Sequence, residues 1–153
     1  MTFDQLGEYF AGLPEAIMSD VPDIVAETAI EYYKGAFDKK AFDGNPWQEA
    51  KKPRTNGSLM VDSGSLVNSI TAPLISRQKV VISAGNDKVP YAKAHNEGFT
   101  GPVNVSQFTD KNGKNVKAHT RAMDLPQRQF LGKSDELAVI LYERLEAYLK
   151  TIL

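Results

Sequence analysis

Two histidines and two carboxylates are the residues of this chain whose types and spacing could bind a metal ion. They are His95, Glu97, His119 and Asp124. Imidazole nitrogens and carboxylate oxygens are common zinc ligands, and a catalytic zinc site needs three protein ligands and one open position for water. A small metal-dependent hydrolase that uses His95, Glu97 and His119 is therefore one hypothesis. The structural alternative is that His95 bonds backbone near Gly98 while His119 lies on a solvated strand.

Other familiar enzyme motifs are missing from the sequence. The chain has no phosphate-binding loop, no dinucleotide fingerprint, no G-x-S-x-G elbow and no H-E-x-x-H. Ser76 and Lys79 match S-x-x-K in letters only, because they fall at a predicted hairpin turn and lack the companion motifs. His95-Asn96-Glu97 matches the H-x-E of zinc deaminases, but the cysteines that must follow do not exist in this chain. We therefore predict a protein that is not an enzyme and holds no cofactor or metal.

Length and composition favour one soluble domain. The chain has 153 residues, of which 42% are hydrophobic, so a single domain over residues 1–153 is expected. It contains no cysteine, which excludes disulfides, thiolate zinc sites and cysteine nucleophiles. Asp4 and Glu8 stand where a signal peptide would be basic, and no apolar run approaches the ~20 residues that span a bilayer. We expect no signal peptide and no contact with a membrane.

Charge is distributed unevenly along the chain. The net charge is −1, yet all 18 Lys and Arg residues follow Tyr33, while the segment up to Tyr33 carries seven of the 19 acidic residues. Basic side chains concentrate in two places, a loop with Lys51, Lys52 and Arg54 and a predicted hairpin with Lys111, Lys114, Lys117 and Arg121. An acidic end and a basic body could orient stacked copies through complementary fields, although two solvated faces explain the pattern equally well.

The two basic regions also leave open a role in nucleic-acid binding. Neither comes with a recognition helix or an aromatic stacking platform, so sequence-specific recognition is not expected. Nonspecific attraction to a DNA backbone is compatible with both regions. A DNA-binding accessory protein therefore remains a further alternative.

Three helices, a short one and two longer ones, are predicted from capping residues and apolar periodicity. Thr2 and Gln5 predict a capping box for a short first helix that ends near Gly12. A longer helix is predicted from Asp20, whose side chain can cap it. Ser134 is predicted to cap the last helix, whose apolar stripe consists of Leu137, Leu141, Leu145, Tyr148 and Ile152, widened by Ile140 and Leu149.

The region between these helices reads as hairpins. Residues 70–76 and 79–84 are β-rich and predict one hairpin. Residues 89–96 predict a short helix. Residues 103–122 predict a second hairpin, whose tip carries Asn112-Gly113 and is expected to form a type I′ turn. Because this arm is polar and basic, we expect it to project from the body.

The predicted fold is therefore α+β, with a small antiparallel β-sheet built from hairpins packed against a long N-terminal helix and a C-terminal helix, and a projecting β-hairpin. Its regions are a helical N-terminus (1–42), a basic loop (43–58), a β-rich body (59–133) with the hairpin 103–122, and the C-terminal helix (134–153). Ser63 or Ser65 is expected to cap a short helical turn within the body. The expected fold anchors are Trp47, Leu66, Tyr91, Phe130 and Leu131.

Four motifs in one order resemble the virion morphogenesis family of tailed phages, also described as Mu gpG-like tail completion or neck proteins. They are Asp43-Gly44-Asn45-Pro46-Trp47, residues 59–70 with Asp62-Ser63-Gly64-Ser65-Leu66, Tyr91-Ala92-Lys93-Ala94-His95-Asn96-Glu97-Gly98 and Leu125-Pro126-Gln127-Arg128-Gln129-Phe130-Leu131-Gly132. The resemblance covers the chain from about Phe42 onward. Gln129 stands where the family pattern usually has proline.

The resemblance implies a small α+β assembly protein. Family members act at the head–tail junction or the tail end, where they form rings that complete the tail and let it join the capsid. It implies that this chain forms a homo-oligomeric ring and meets other neck, tail or connector proteins, with phage DNA as a nonspecific contact. It further implies a product of a phage or prophage that resides in the host cytoplasm during assembly and then in the virion.

Overall fold

The structure, a computed structural model, describes residues 1–52 and 57–152. The helices are α1 (Phe3–Ala11), α2 (Val21–Lys39), α3 (Ser65–Asn68), α4 (Ala92–Glu97) and α5 (Asp135–Ile152), with a 3₁₀ turn at Glu15–Ile17. The strands are β1 (Ala41–Phe42), β2 (Asn45–Pro46), β3 (Thr71–Ile75), β4 (Val80–Ser83), β5 (Phe99–Val105), β6 (Phe108–Thr109), β7 (Asn115–Val116) and β8 (His119–Leu125). This arrangement confirms the predicted α+β fold.

The first two helices begin as their sequences indicate, with one difference in capping. The Thr2 hydroxyl accepts the Gln5 amide at 3.2 Å and the Gln5 side chain accepts the Thr2 amide at 2.8 Å, which completes the expected capping box. Asp20 occupies the N-cap position of α2, but its side chain makes no capping bond. Its carboxylate instead accepts a hydrogen bond from the Tyr148 hydroxyl of α5, so the expected side-chain cap at Asp20 is wrong.

Helix α5 packs along α1 and α2 and starts at the predicted cap. The hydroxyl of Ser134, which is 1% exposed, accepts the Leu137 amide at 3.1 Å. The buried stripe of α5 consists of Leu137, Ala138, Leu141 and Leu145. Ile152, expected in this stripe, is 47% exposed, because the stripe passes beyond the helices it packs on during the last turn.

The described strands form four separate antiparallel pairs and no continuous sheet: β1–β2, β3–β4, β5–β8 and β6–β7. Both β3 and β4 pack on α2. Pro73 lies inside β3, next to a register shift between Thr71 and Leu74, and it has no amide hydrogen to donate to a further strand. The proline therefore disfavours pairing of a further strand at this edge of β3.

The second hairpin is longer than predicted. Strands β5 and β8 pair from Phe99 with Leu125 to Val105 with His119, and β6 with β7 continue the arm toward its tip. At the tip only Gly113 has a positive φ, so the expected type I′ turn, which needs two such residues, is wrong. The Asp110 carboxylate instead accepts the amides of Asn112 and Lys114 at 2.9 and 2.8 Å and shapes a wider loop.

Helix α3 also begins differently from the expectation. Its N-cap is Gly64, with φ +82°, which has no side chain to form a capping bond; the Ser63 hydroxyl accepts the Ser65 amide at 3.4 Å and bonds the Ser65 hydroxyl at 2.8 Å. The apolar pair predicted for this turn is buried, with Leu66 at 5% and Ile70 at 2% exposure. Within the described residues, no helix is long and apolar enough to span a membrane.

Candidate functional site

Residues 125–132 connect the long hairpin to α5 and enter the core at Phe130. This side chain is 0% exposed, and its ring centroid lies 5.1 Å from that of Phe37 in α2. The Trp47 ring meets Phe37 edge to face at 5.4 Å, and its Nε1 donates a hydrogen bond to the Gln129 carbonyl at 2.8 Å. The connector is therefore fixed on one side by α2 and by the segment that follows β2.

Asn96, near the end of α4, fixes the other side of the connector. Its Oδ1 accepts the backbone amides of Phe130 and Leu131, both at 2.9 Å, and its Nδ2 donates to the Leu131 carbonyl at 3.1 Å. The side-chain amide thus satisfies three backbone groups that have no strand partner. Such groups cost about 1–3 kcal/mol each when they are left buried and unpaired.

Arg128 ties the same connector to residues 48 and 49. Its side chain is buried, and its Nε and guanidinium NH2 donate to the carbonyls of Gln48 and Glu49 at 2.8 and 3.4 Å. Its backbone amide donates to the His95 carbonyl at 3.0 Å. Burial lowers the pKa of Arg128 from its ordinary value, as desolvation disfavours the charged form. The guanidinium therefore forms a buried bracket: it holds two backbone segments together by hydrogen bonds.

His95 differs from the expectation that it bonds backbone near Gly98. Its Nδ1 is buried and has no hydrogen-bond partner among the described groups. The ring instead packs edge to face with Tyr91, with centroids 5.6 Å apart. Burial, and to a lesser extent the charge of Arg128, lower the pKa of His95. Both effects favour the neutral imidazole at physiological pH.

The residues of the proposed metal site are not brought together. The part of the chain that the structure describes contains no group of three His, Asp or Glu side chains placed to hold a metal. His119 lies at one end of β8, with Nδ1 2.9 Å from the Lys117 carbonyl, whereas Asp124, five residues away, accepts the Thr100 hydroxyl at 3.2 Å. Five residues of strand span about 17 Å. Nothing in this geometry supports the hydrolase hypothesis.

A cavity of about 270 Å³ beside His95 is also lined by Asp62, Ser63 and Ser65. These are the residue types of a serine hydrolase, but their bonding differs from one. The hydroxyls of Ser63 and Ser65 bond each other at 2.8 Å, and Nδ1 of His95 bonds neither. A nucleophilic serine needs a hydrogen bond to its base, so this cavity does not have the geometry of such a site.

The expected anchors are placed in different ways. Trp47 and Leu66 are 8% and 5% exposed, and Leu131 packs partly buried against the same core as Phe130. Tyr91 is 42% exposed, so its expected role as a buried anchor is wrong. It lies in the turn that precedes α4, where the neighbouring residue Ala92 occupies the core position instead.

The predicted basic interaction residues are all exposed where the structure describes them. Lys51 and Lys52 lie after Trp47 outside any helix or strand, and Arg54 lies outside the described residues. The other four are on the long hairpin or its tip and are exposed: Lys111, Lys114, Lys117 and Arg121. The structure therefore leaves the hairpin cations accessible.

The acidic N-terminal segment is partly neutralised within the chain. Glu31 of α2 accepts a hydrogen bond from Arg144 of α5 at 2.9 Å, and this bond lowers the pKa of the carboxyl group. Glu15 pairs with Arg77 at 3.2 Å. Exposed pairs of this kind contribute little to stability because solvent and salt screen them, so their main effect is to reduce the charge of this face.

Hydrogen bonds join three of the four segments that resemble a known family, at residues 125–132 and at the start of α5. Asp43 accepts the Ser134 hydroxyl at 3.0 Å, Trp47 bonds Gln129, and Asn96 bonds Leu131. A family model described as the phage virion morphogenesis family matches residues 16–150. The chain belongs to this family. The family indicates a structural or assembly role in the virion of a phage, and no curated protein or solved structure matches the chain.

The family match confirms the resemblance and extends it. It begins at residue 16, ahead of α2, whereas the motifs indicated a likeness only from about Phe42. Sequence patterns singled out residues 125–132 but missed the role of Asn96, whose three bonds hold them. The sequence contains one signal for it, because Asn96 precedes Gly98 by two residues and glycine often ends a helix. In the structure Gly98 has φ +80°, ends α4 and lies against Gln127.

Proposed function

We propose that this protein completes the tail of a phage particle, or joins head to tail, as a ring of identical copies. The family membership supports a virion assembly role, and tail completion is the function implied by the resemblance. The observation that carries the proposal is a hydrogen-bonded scaffold that joins three of the four motifs: Trp47 and Asn96 bond residues 129–131 beside the buried Phe130, and Asp43 bonds Ser134 at the start of α5. A scaffold of this kind gives a rigid subunit, which suits an assembly component.

In the proposed role the protein acts through binding and not through catalysis. It is made in the host cytoplasm and incorporated at the neck or tail end, where its partners are further copies and other neck, tail or connector proteins. Because the scaffold residues face inward, we expect partners to bind surfaces outside the scaffold. Those surfaces include the exposed hairpin of β5 to β8 and the exposed Lys51 and Lys52.

Deletion of the gene from an inducible phage tests the proposal. We expect the lysate to contain heads and tails that do not join, or tails of abnormal length, in negative-stain electron microscopy, with few infectious particles. A plasmid copy of the wild-type gene should restore infectivity, and mass spectrometry should detect the protein in purified particles. Infectious tailed particles from the deletion strain, or particles that never contain the protein, would contradict it.

A further inference from the structure

The long hairpin is unusual because it stands as a two-stranded arm with no buried residue. Every described residue from Phe99 to Leu125 is exposed or half-buried. Phe108 and Phe99 are 47% and 38% exposed. An isolated two-stranded hairpin is only marginally stable in water and normally needs a third strand or another packed surface. The arm therefore has apolar surface that a partner could cover.

This arm is also basic. Between Phe99 and Leu125 the sequence carries four Lys or Arg residues and two Asp residues. Val116 pairs directly opposite Phe108; Lys117 follows it directly and Lys114 lies two residues before it. Residues directly opposite in an antiparallel pair share one face of the hairpin. Phe108 and Val116 thus form a small apolar patch near the tip, with basic residues next to it in the chain.

A groove with the complementary character lies between α2 and β3. It has a volume of about 570 Å³, and Ala26, Ile30 and Ile75 supply its apolar lining. Ile75 and its neighbour Leu74 are each 44% exposed. The groove is apolar and accessible, and it lies on the acidic N-terminal part of the chain.

The charged residues of the groove are predominantly acidic. They are Asp23, Glu27, Glu31 and Lys34. Glu31 is already paired with Arg144, so the two remaining acids, Asp23 and Glu27, outnumber Lys34 and leave the groove with a net negative charge. An apolar centre with acidic residues is the charge complement of the basic hairpin with its apolar tip.

We infer that the hairpin 99–125 of one copy docks in the α2–β3 groove of a second copy. The inference rests on the proposed ring and names the two surfaces that build it. Hairpin and groove are different surfaces, so the contact is heterologous: each copy inserts its hairpin into one neighbour and receives the hairpin of the other. Repetition of such a contact closes into a ring when the rotation between copies allows it.

The hairpin is long enough to reach a neighbour. Fourteen residues lead from Phe99 to the tip at Asn112, which corresponds to at most about 45 Å of extended strand. The break between β5 and β6 shortens this reach. A folded domain of 153 residues has a radius of gyration of roughly 15 Å, so even a shortened hairpin could extend to an adjacent copy.

Charge exchange in the full-length protein tests the contact. The hairpin variant carries Lys114→Glu and Lys117→Glu, and the groove variant carries Asp23→Lys and Glu27→Lys. We expect either variant to weaken self-association roughly tenfold or more in sedimentation velocity, since attraction is replaced by repulsion at two positions. The matched control carries Lys88→Glu and Lys93→Glu, two exposed lysines outside both surfaces, and should associate like the wild type.

Combined variants distinguish docking of the hairpin in the groove from binding of the hairpin to DNA. A single chain that carries both sets of changes should regain self-association, because the exchanged charges again attract each other. A mixture of the hairpin variant with the groove variant should also regain association, in assemblies where the two variants alternate, because each variant repels its own copies and attracts the other variant at both contacts. If the hairpin lysines bind DNA instead, the chain with both sets of changes does not regain self-association, and the hairpin variant no longer binds duplex DNA. That result overturns the inference.

Disulfide cross-linking in particles provides the second measurement. The chain has no cysteine, so Lys114→Cys and Glu27→Cys introduce the only two thiols. We expect purified particles to give a ladder of cross-linked multimers on a non-reducing gel, and Lys88→Cys with Glu27→Cys to give none. A normal particle without the ladder overturns the docking of hairpin in groove while the assembly function stands, whereas absence of the protein from particles removes the assembly function itself.

Discussion

The side-chain amide of Asn96 closes a ring of two hydrogen bonds with the backbone of Leu131. Its Oδ1 accepts the Leu131 amide at 2.9 Å and its Nδ2 donates to the Leu131 carbonyl at 3.1 Å. This is the pattern in which a neighbouring strand would pair with Leu131. One side chain from a short helix therefore replaces a strand and holds the connector whose Phe130 fills the core.

Replacement of Asn96 by alanine should destabilise the protein by about 2–4 kcal/mol, because the amides of residues 130 and 131 lose their partner and the Leu131 carbonyl keeps only the Gln129 side-chain amide. Asn96→Asp should be intermediate, since a carboxylate can still accept the two amides but cannot donate to the carbonyl. The measurement is urea unfolding followed by the fluorescence of Trp47, the only tryptophan. Asn112→Ala, at the exposed hairpin tip, is the control and should change the free energy of unfolding by less than about 0.5 kcal/mol.

Loss of the Arg128 bracket should loosen the segment that follows Trp47. The guanidinium holds the carbonyls of Gln48 and Glu49, so Arg128→Ala should let trypsin cleave more readily after Lys51; trypsin does not cleave after Lys52, because Pro53 follows. We expect cleavage there to accelerate by about tenfold, which corresponds to roughly 1.4 kcal/mol of easier local opening. Arg121→Ala, which removes an exposed arginine of the hairpin, should leave the rate of cleavage unchanged; equal acceleration in both variants would contradict the bracket.

Sequence patterns predicted local structure well because its causes lie close together in the chain. The capping box at Thr2 and the cap at Ser134 each involve residues three positions apart, and both are confirmed. The prediction of a side-chain cap at Asp20 was wrong for the opposite reason. The Asp20 carboxylate accepts a hydrogen bond from Tyr148, which lies 128 residues away in the sequence. No local pattern reports a competitor at that distance.

The candidate site divides in the same way. The apolar character of Phe130 was enough to predict a core position. The bonds of Asn96 and Arg128 join segments about 35 and 80 residues apart, so they become visible only once α2 and α4 are packed. Tyr91 was predicted to be an anchor, but a shift of one position in the chain decides which residue faces the core, and here the buried residue is Ala92. The metal hypothesis is likewise not supported, because His119 and Asp124 lie near opposite ends of the same strand, β8.

His95 should make the stability of the fold depend on pH. Burial lowers its pKa in the folded state below the ordinary value of 6.5, so the unfolded chain binds more protons than the folded one as pH falls. The contribution is fully present above the ordinary pKa and is lost as pH drops through the lowered value. We therefore expect the free energy of urea unfolding to decrease from pH 7.5 toward pH 5.

Variants of the two histidines isolate this effect. His95→Gln should flatten the pH dependence below the ordinary pKa of histidine, whereas His119→Gln, on the exposed hairpin, should keep the wild-type slope. NMR titration of the two imidazole C–H signals in the wild type assigns the lowered pKa directly. A wild-type slope in His95→Gln would mean that other groups cause the pH dependence.

Two glycine-to-alanine substitutions should change stability in opposite directions. Gly98 has φ +80° and ψ 162°, and a Cβ there would lie 3.1 Å from the Gln127 amide nitrogen. This backbone conformation is essentially restricted to glycine, so Gly98→Ala should destabilise the fold by about 1–3 kcal/mol. Gly7 lies within α1 with no atom near its missing Cβ, so Gly7→Ala should stabilise the fold by about 0.5–1 kcal/mol. Thermal unfolding of the two variants against the wild type measures both signs, and a neutral Gly98→Ala would show that α4 and the connector do not approach as closely as the hydrogen bonds of Asn96 require.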